Sequence, residues 1–156
     1  MFRMNKMTDY GILLLTRMAT APGLGISARE LAEETRIPLP TVGKLLKSLL
    51  KEGLLVSHRG TKGGYALSRS SSEITVAEII RALEGPIAMT ECEENRCELE
   101  SGCPTRSHWK VVNNAILGAL QNLTLREMTQ PAKPVFSLPA LRSNSDVSRV
   151  SQRSTP

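Results

Sequence analysis

The chain has 156 residues, a length that predicts one compact domain with at most a small appendage. Hydrophobic residues make up 40% of it and aromatics only 3%, so the core is expected to consist of Leu, Ile, Val, Ala and Met; no apolar run nears the roughly 18 residues of a bilayer-spanning helix, which excludes an integral membrane protein. The net charge of +5 is uneven, with 12 basic against 8 acidic side chains in residues 1–90, 2 against 5 in residues 91–108 and 6 against 2 in residues 109–156, so the front suits a polyanion and the middle does not.

Residues 8–20 read as a first helix with Ile12, Leu15, Met18 and Ala19 on one stripe. Arg3 and Lys6 precede the apolar patch Gly11 to Leu15 in the order of a secretory leader. However, Asp9 stands before the patch and Arg17 ends it, short of the roughly 7 to 15 residues such a segment needs. A cytoplasmic location is expected. Pro22 to Gly25 closes the helix, and Ser27-Ala28-Arg29-Glu30 is a capping box that opens a second, short helix to about Arg36, with Ala28, Leu31 and Ala32 on its inner face. Pro38 and Pro40 then allow only the first turn of a new helix. That third helix is expected from about Pro40 or Thr41 to Glu52, burying Val42, Leu45, Leu46, Leu49 and Leu50, turning Lys44, Lys47 and Lys51 outward and stopping at Gly53.

Two short helices joined by a tight turn match a helix-turn-helix, a pattern shared by small helical domains that bind no nucleic acid. The next segment sharpens it. Leu54 to His58 and Tyr65 to Ser68 read as two strands around the basic glycine loop Arg59-Gly60-Thr61-Lys62-Gly63-Gly64, which is a wing. Its glycines let backbone approach a phosphate, while Arg59 and Lys62 supply charge. Thr75-Val76-Ala77-Glu78 is a second capping box, opening a helix through Leu83 that ends at Gly85-Pro86.

Residues 91–104 are nearly devoid of large apolar side chains and hold Cys92, Cys97 and Cys103. Three cysteines cannot all pair within one chain, and a reducing compartment keeps them as thiols. Their C-x4-C-x5-C spacing lacks the C-x2-C knuckle of zinc ribbons and fingers. The wider intervals suit an iron-sulfur cluster, with zinc and free thiols left as alternatives. A long helix then begins between Thr105 and Trp109 and runs to about Asn122, with Trp109, Val112, Ile116, Ala119, Leu120 and Leu123 on one side. A second copy of the chain would cover that stripe in a two-fold dimer, unless the helix packs back on its own winged domain. From Thr129 the Pro, Ser, Arg and Asn content predicts a disordered tail. The expected architecture is mainly α with a small β-hairpin wing. A winged helix-turn-helix fills residues 1–85, a cysteine segment 86–108, a dimerisation helix 109–128 and the tail 129–156.

In this order the chain resembles the winged-helix iron-sulfur transcription regulators of the Rrf-two family. The resemblance covers about residues 1–128 and is carried by Thr8-Asp9-Tyr10, Lys51-Glu52-Gly53-Leu54-Leu55, Arg59 to Tyr65, the three cysteines, Trp109 and Thr124-Leu125. Within the family the chain looks most like regulators of the SUF cluster-assembly operon. The resemblance implies a homodimeric repressor or activator on a palindromic operator in double-stranded DNA, with Cys92, Cys97 and Cys103 holding a [2Fe-2S] or [4Fe-4S] cluster. It departs from the pattern at the fourth ligand. Where cluster-assembly regulators carry a histidine three residues after the last cysteine, this chain has Arg106, and its nearest histidine is His108. Asp9 matches the aspartate that the family's nitrite-sensitive repressors donate from the partner subunit. Both have plain alternatives, His108 as a helix-flanking residue and Asp9 as favourable charge at a helix start.

For DNA contact the reading selects Thr41, Lys44 and Ser48 on the third helix and Arg59, Lys62, Gly63 and Gly64 in the wing. Gly43 falls where cluster-assembly regulators carry a base-facing glutamate, so their sequence preference does not transfer. No nucleotide-binding loop and no cysteine-histidine-acid constellation is present, so no enzyme is expected. The remaining alternatives are a cluster-free winged-helix regulator that works through a protein partner and a zinc-binding DNA-binding protein.

Overall fold

The computed structural model describes residues 4–21, 25–60, 63–88, 90 and 102–131. Helix α1 spans Lys6–Thr20, α2 Ala28–Thr35, α3 Leu39–Lys51, α4 Val76–Glu84, α5 Arg106–Gln121 and α6 Leu125–Met128, with strands β1 Leu55–His58 and β2 Gly64–Leu67 between α3 and α4. None of these helices is long and apolar enough to cross a membrane. The expected mainly helical fold with a two-stranded wing is what the chain adopts.

One core joins α1 to α4 and the hairpin. Leu14, Leu15 and Met18 of α1 meet Leu31 of α2, the stripe Val42, Leu45, Leu46 and Leu49 of α3, and Ile79 of α4. On α1 the buried face is therefore centred on Leu14 and Leu15, and Ile12 and Ala19 lie at its half-buried margins. Both capping boxes form: Ser27 Oγ accepts from the Glu30 N–H at 3.2 Å and Thr75 Oγ1 from the Glu78 N–H at 3.2 Å, while each glutamate accepts from its cap residue's N–H.

In the wing, β1 and β2 pair antiparallel with Leu55 opposite Leu67 and His58 opposite Gly64. The outer edge of β2 is not left open, because Ile26 and Tyr65 exchange two backbone hydrogen bonds of 2.9 Å. This third pairing explains Gly64, where a Cβ would lie 2.7 Å from the Ile26 carbonyl carbon. Gly60, at φ +121°, makes the turn that an L side chain would resist.

The long helix spans its expected extent, Arg106 to Gln121, but the segment 109–128 also holds a second, separate turn. Over 109–128 the chain is not continuous helix: α5 stops at Gln121, and Thr124 caps a new turn, α6, by accepting from the Glu127 N–H at 3.3 Å. Backbone pairing dictates the break. The Val76 N–H donates to the Leu123 carbonyl at 2.8 Å, the Leu125 N–H to the Ile74 carbonyl at 2.8 Å and the Arg126 N–H to the Ser71 carbonyl at 3.0 Å. Leu125 is then fully buried in the winged core. The far end of the long helix is thus stitched to the head. Beyond Pro131 the expected tail lies outside the described residues.

Candidate nucleic-acid interface and metal centre

Because α3 buries Val42, Leu45, Leu46 and Leu49, its opposite face is turned out by the 3.6-residue repeat. Thr41, Lys44 and Ser48 follow one another at i, i+3 and i+7 on that face, with Lys44 exposed and the other two half-buried. Lys47 and Lys51 are exposed beside them. In the wing, Arg59 is exposed and Gly63 closes the tip, its N–H donating to the Gly60 carbonyl at 2.9 Å. Gly64 anchors the returning strand. Lys62 lies outside the described residues. The structure therefore brings the selected α3 side chains onto one surface and sets Arg59 at the end of a hairpin that leaves directly from that helix. Such an outline suits a helix in the major groove with a wing on neighbouring backbone.

Of the three cysteines, Cys103 is described; Cys92 and Cys97 lie outside the described residues. Cys103 is partly exposed, three residues ahead of α5. Thr105 holds the N-cap position of α5 yet makes no side-chain cap. Its hydroxyl meets Cys103 Sγ at 3.2 Å instead. That hydroxyl and the Thr105 backbone N–H outweigh the opposing effect of burial and, with the Arg106 backbone N–H and charge added, favour the thiolate, so the Cys103 pKa falls below the ordinary thiol value. A thiolate is the form that ligates iron or zinc. As a donor, Cys103 fits the cluster that the resemblance implies. Sequence reading missed Thr105; the signal was a hydroxyl residue two positions after a cysteine at a helix start.

Asp9 and His108 are placed on different helices. Asp9 is exposed in the first turn of α1, and His108 is exposed in the first turn of α5. Capping of α1 falls to Asn5, whose side chain accepts from the Met7 N–H at 3.1 Å, so Asp9 is not needed for it. The Asp9 carboxylate has no hydrogen bond or ion pair among the described residues. Its neighbour Thr8 is fully buried and donates its hydroxyl to Glu84, which also accepts from the Asn5 N–H at 3.1 Å. Glu84 ends α4, so the point where the cysteine segment departs is latched to the start of α1. Among the described residues no three metal-ligating side chains gather.

Comparison with known proteins agrees with this outline. Residues 4–131 match the sequence profile of Rrf2, described as an iron-dependent transcriptional regulator. The chain is similar to CymR (YrzC), the global cysteine regulator of B. subtilis, at 28% identity and a TM-score of 0.70, over 83% of this chain and 97% of that one. It is similar to Staphylococcus aureus CymR at 31% identity and a TM-score of 0.63, over 83% and 100%. It is also similar to T. potens IscR at 28% identity and a TM-score of 0.65, over 85% and 94%.

Proposed function

Because the chain belongs to the Rrf2 family, which comprises transcription regulators and not enzymes, we propose that it is a homodimeric repressor. On this reading an iron-sulfur cluster on Cys92, Cys97 and Cys103 sets its grip on a palindromic operator. Its targets are genes of iron-sulfur cluster assembly, in the manner of SUF-operon regulators. Thr41, Lys44 and Ser48 read the major groove, and Arg59 and Lys62 with the Gly63 and Gly64 backbone hold the wing on DNA. When bound, the cluster supplies a redox-sensitive and iron-sensitive cross-link between parts of the chain.

The observation that carries the reading is the anchoring of both flanks of the cysteine segment. Glu84, two residues before the segment, holds the start of α1 through Asn5 and Thr8. α5, which begins just past Cys103, ends on the head through Leu123 and Leu125. A change of span between Cys92 and Cys103 therefore pulls on α1 and α4, both packed against α3, which carries the reading surface. Asp9, exposed and unpaired on α1 among the described residues, is the favoured fourth ligand, donated across the dimer, ahead of His108. The exposed start of α5, with Trp109, Val111 and Val112 open, supplies the apolar seam for the second copy. Moving a two-state dimer from 1:99 to 99:1 takes about 5.5 kcal/mol of differential stabilisation.

Anaerobically purified protein tests the assignment. Iron and sulfide counted per chain are expected in cluster proportions, with visible absorption that Asp9→Ala weakens more than His108→Ala does. Absorption unaltered by either change contradicts a fourth ligand from these residues. A second reading has the likeness to two CymR proteins behind it, one of them named for cysteine rather than iron. On that reading the chain is a cluster-free winged-helix regulator acting through a protein partner, and the anaerobic protein is colourless and iron-free yet binds its operator. Zinc in place of iron marks the zinc-binding alternative.

A further inference from the structure

The turn between α2 and α3 holds the single non-glycine residue with positive φ among the described residues, Arg36 at φ 58° and ψ 25°. An L side chain in this left-handed region crowds its own Cβ against the following carbonyl, which is why glycine, or else asparagine, is the usual occupant. The turn seats the next residue, Ile37, in the core at 4% exposure, but the Arg36 side chain itself gains nothing among the described residues. Arg36 is exposed and makes no ion pair or hydrogen bond among the described residues, whereas Arg17 and Arg69 are held by Glu34 and Glu78. A strained backbone at an accessible, unpaired cation points to a partner outside the chain.

The start of α3 says what that partner is. Recognition helices commonly turn free N–H groups toward a phosphate. Here Pro38 holds the N-cap position and Pro40 the first turn, so two of those N–H groups do not exist, and no side chain caps the helix. The Thr41 and Val42 N–H groups donate to the Pro38 carbonyl at 2.9 and 3.1 Å. Only the Leu39 N–H is left over. The helix that enters the groove thus brings almost no anion-binding capacity of its own, and the nearest charge ahead of it is the Arg36 guanidinium.

We infer that Arg36 clamps a DNA phosphate at the groove edge where α3 enters, replacing the helix N–H groups that the prolines remove. The inference rests on DNA binding by the winged head and adds a contact outside α3 and the wing. Phosphate contacts fix register and carry no base preference.

The test uses the full chain and its Arg36→Gly, Arg36→Asn and Arg36→Lys variants. Each is titrated by fluorescence anisotropy against a duplex carrying the promoter palindrome and against an unrelated duplex, at several salt concentrations. Gly and Asn fit the left-handed backbone, so their thermal midpoints are expected at or above that of the parent. Their affinity should fall severalfold for both duplexes alike, and the salt slope should shrink by about one unit. Lys should keep most of the slope. Gly and Asn variants with parental affinity and slope overturn the inference. So does a loss confined to the palindrome, which marks a base reader, or a drop in thermal midpoint for both, which marks a structural role. A parent chain that binds neither duplex overturns the DNA-binding reading and Arg36 with it.

Discussion

Helices α3 and α5 are both amphipathic and of similar length, 13 and 16 residues, yet the chain treats their apolar faces differently. On α3 every stripe residue from Val42 to Leu49 is buried, at 0 to 2% exposure. On α5 the buried residue is Asn113, while Trp109 stays 42% exposed, Val112 41% and Val111 69%. Ile116, Leu117 and Leu120, further along, are half-buried, and Leu117 lines a cleft shared with Ala77 and Arg81 of α4. So the apolar face of α3 is covered by its own chain, whereas among the described residues that of α5 is covered chiefly toward its far end. On the proposed reading α3 serves stability and α5 assembly, and a signal arriving beside Cys103 would reach the less covered of the two.

Cutting into α3 should have the largest effect. Leu46→Ala removes a fully buried side chain and is expected to cost about 2 to 5 kcal/mol in chemical denaturation, a large share of the roughly 5 to 15 kcal/mol that holds a domain folded. On α5 the same class of change should leave the fold and alter association. Trp109→Ala is expected to weaken the dimer by about 2 kcal/mol, close to 30-fold in its dissociation constant by sedimentation equilibrium. If Trp109→Ala instead lowers the stability of the isolated chain as Leu46→Ala does, the contrast between the two helices is lost.

A smaller effect lies at the start of α4, which packs against both α1 and α5. Thr75→Ala removes the cap and should cost about 1 kcal/mol. Partial burial opposes the charge on Glu78, but the Thr75 N–H and hydroxyl and the Arg69 guanidinium outweigh it and hold the carboxyl below its ordinary value. The folded pKa is thus the lower one, so this stabilisation is present above the unfolded carboxylate value and disappears as the pH falls through the folded one. The stability gap between the parent and Glu78→Gln should therefore narrow on acidification through that range. A gap that widens contradicts the assignment.

Local signals were the legible ones. Ser27-x-x-Glu30 and Thr75-x-x-Glu78 each satisfy their own backbone, so their helices start where the residues say. The same signal at Thr124-x-x-Glu127 was submerged in an apolar periodicity that continues through Leu123. What ends α5 is pairing with Ile74 and Val76, some fifty residues earlier. Arg36 was illegible for a related reason, since neither Gly nor Asn advertises the left-handed turn. The α3 face of Thr41, Lys44 and Ser48 followed from the spacing of its leucines. The Cys103 environment did not, because Thr105 serves the thiol and not the helix.

The direct test of the central claim is operator affinity, measured without air on one preparation before and after its iron is chelated away. The account predicts a brown protein whose affinity changes by tenfold or more, about 1.4 kcal/mol, when the iron leaves. An iron-loaded chain and its stripped form that bind the operator equally tightly would contradict it.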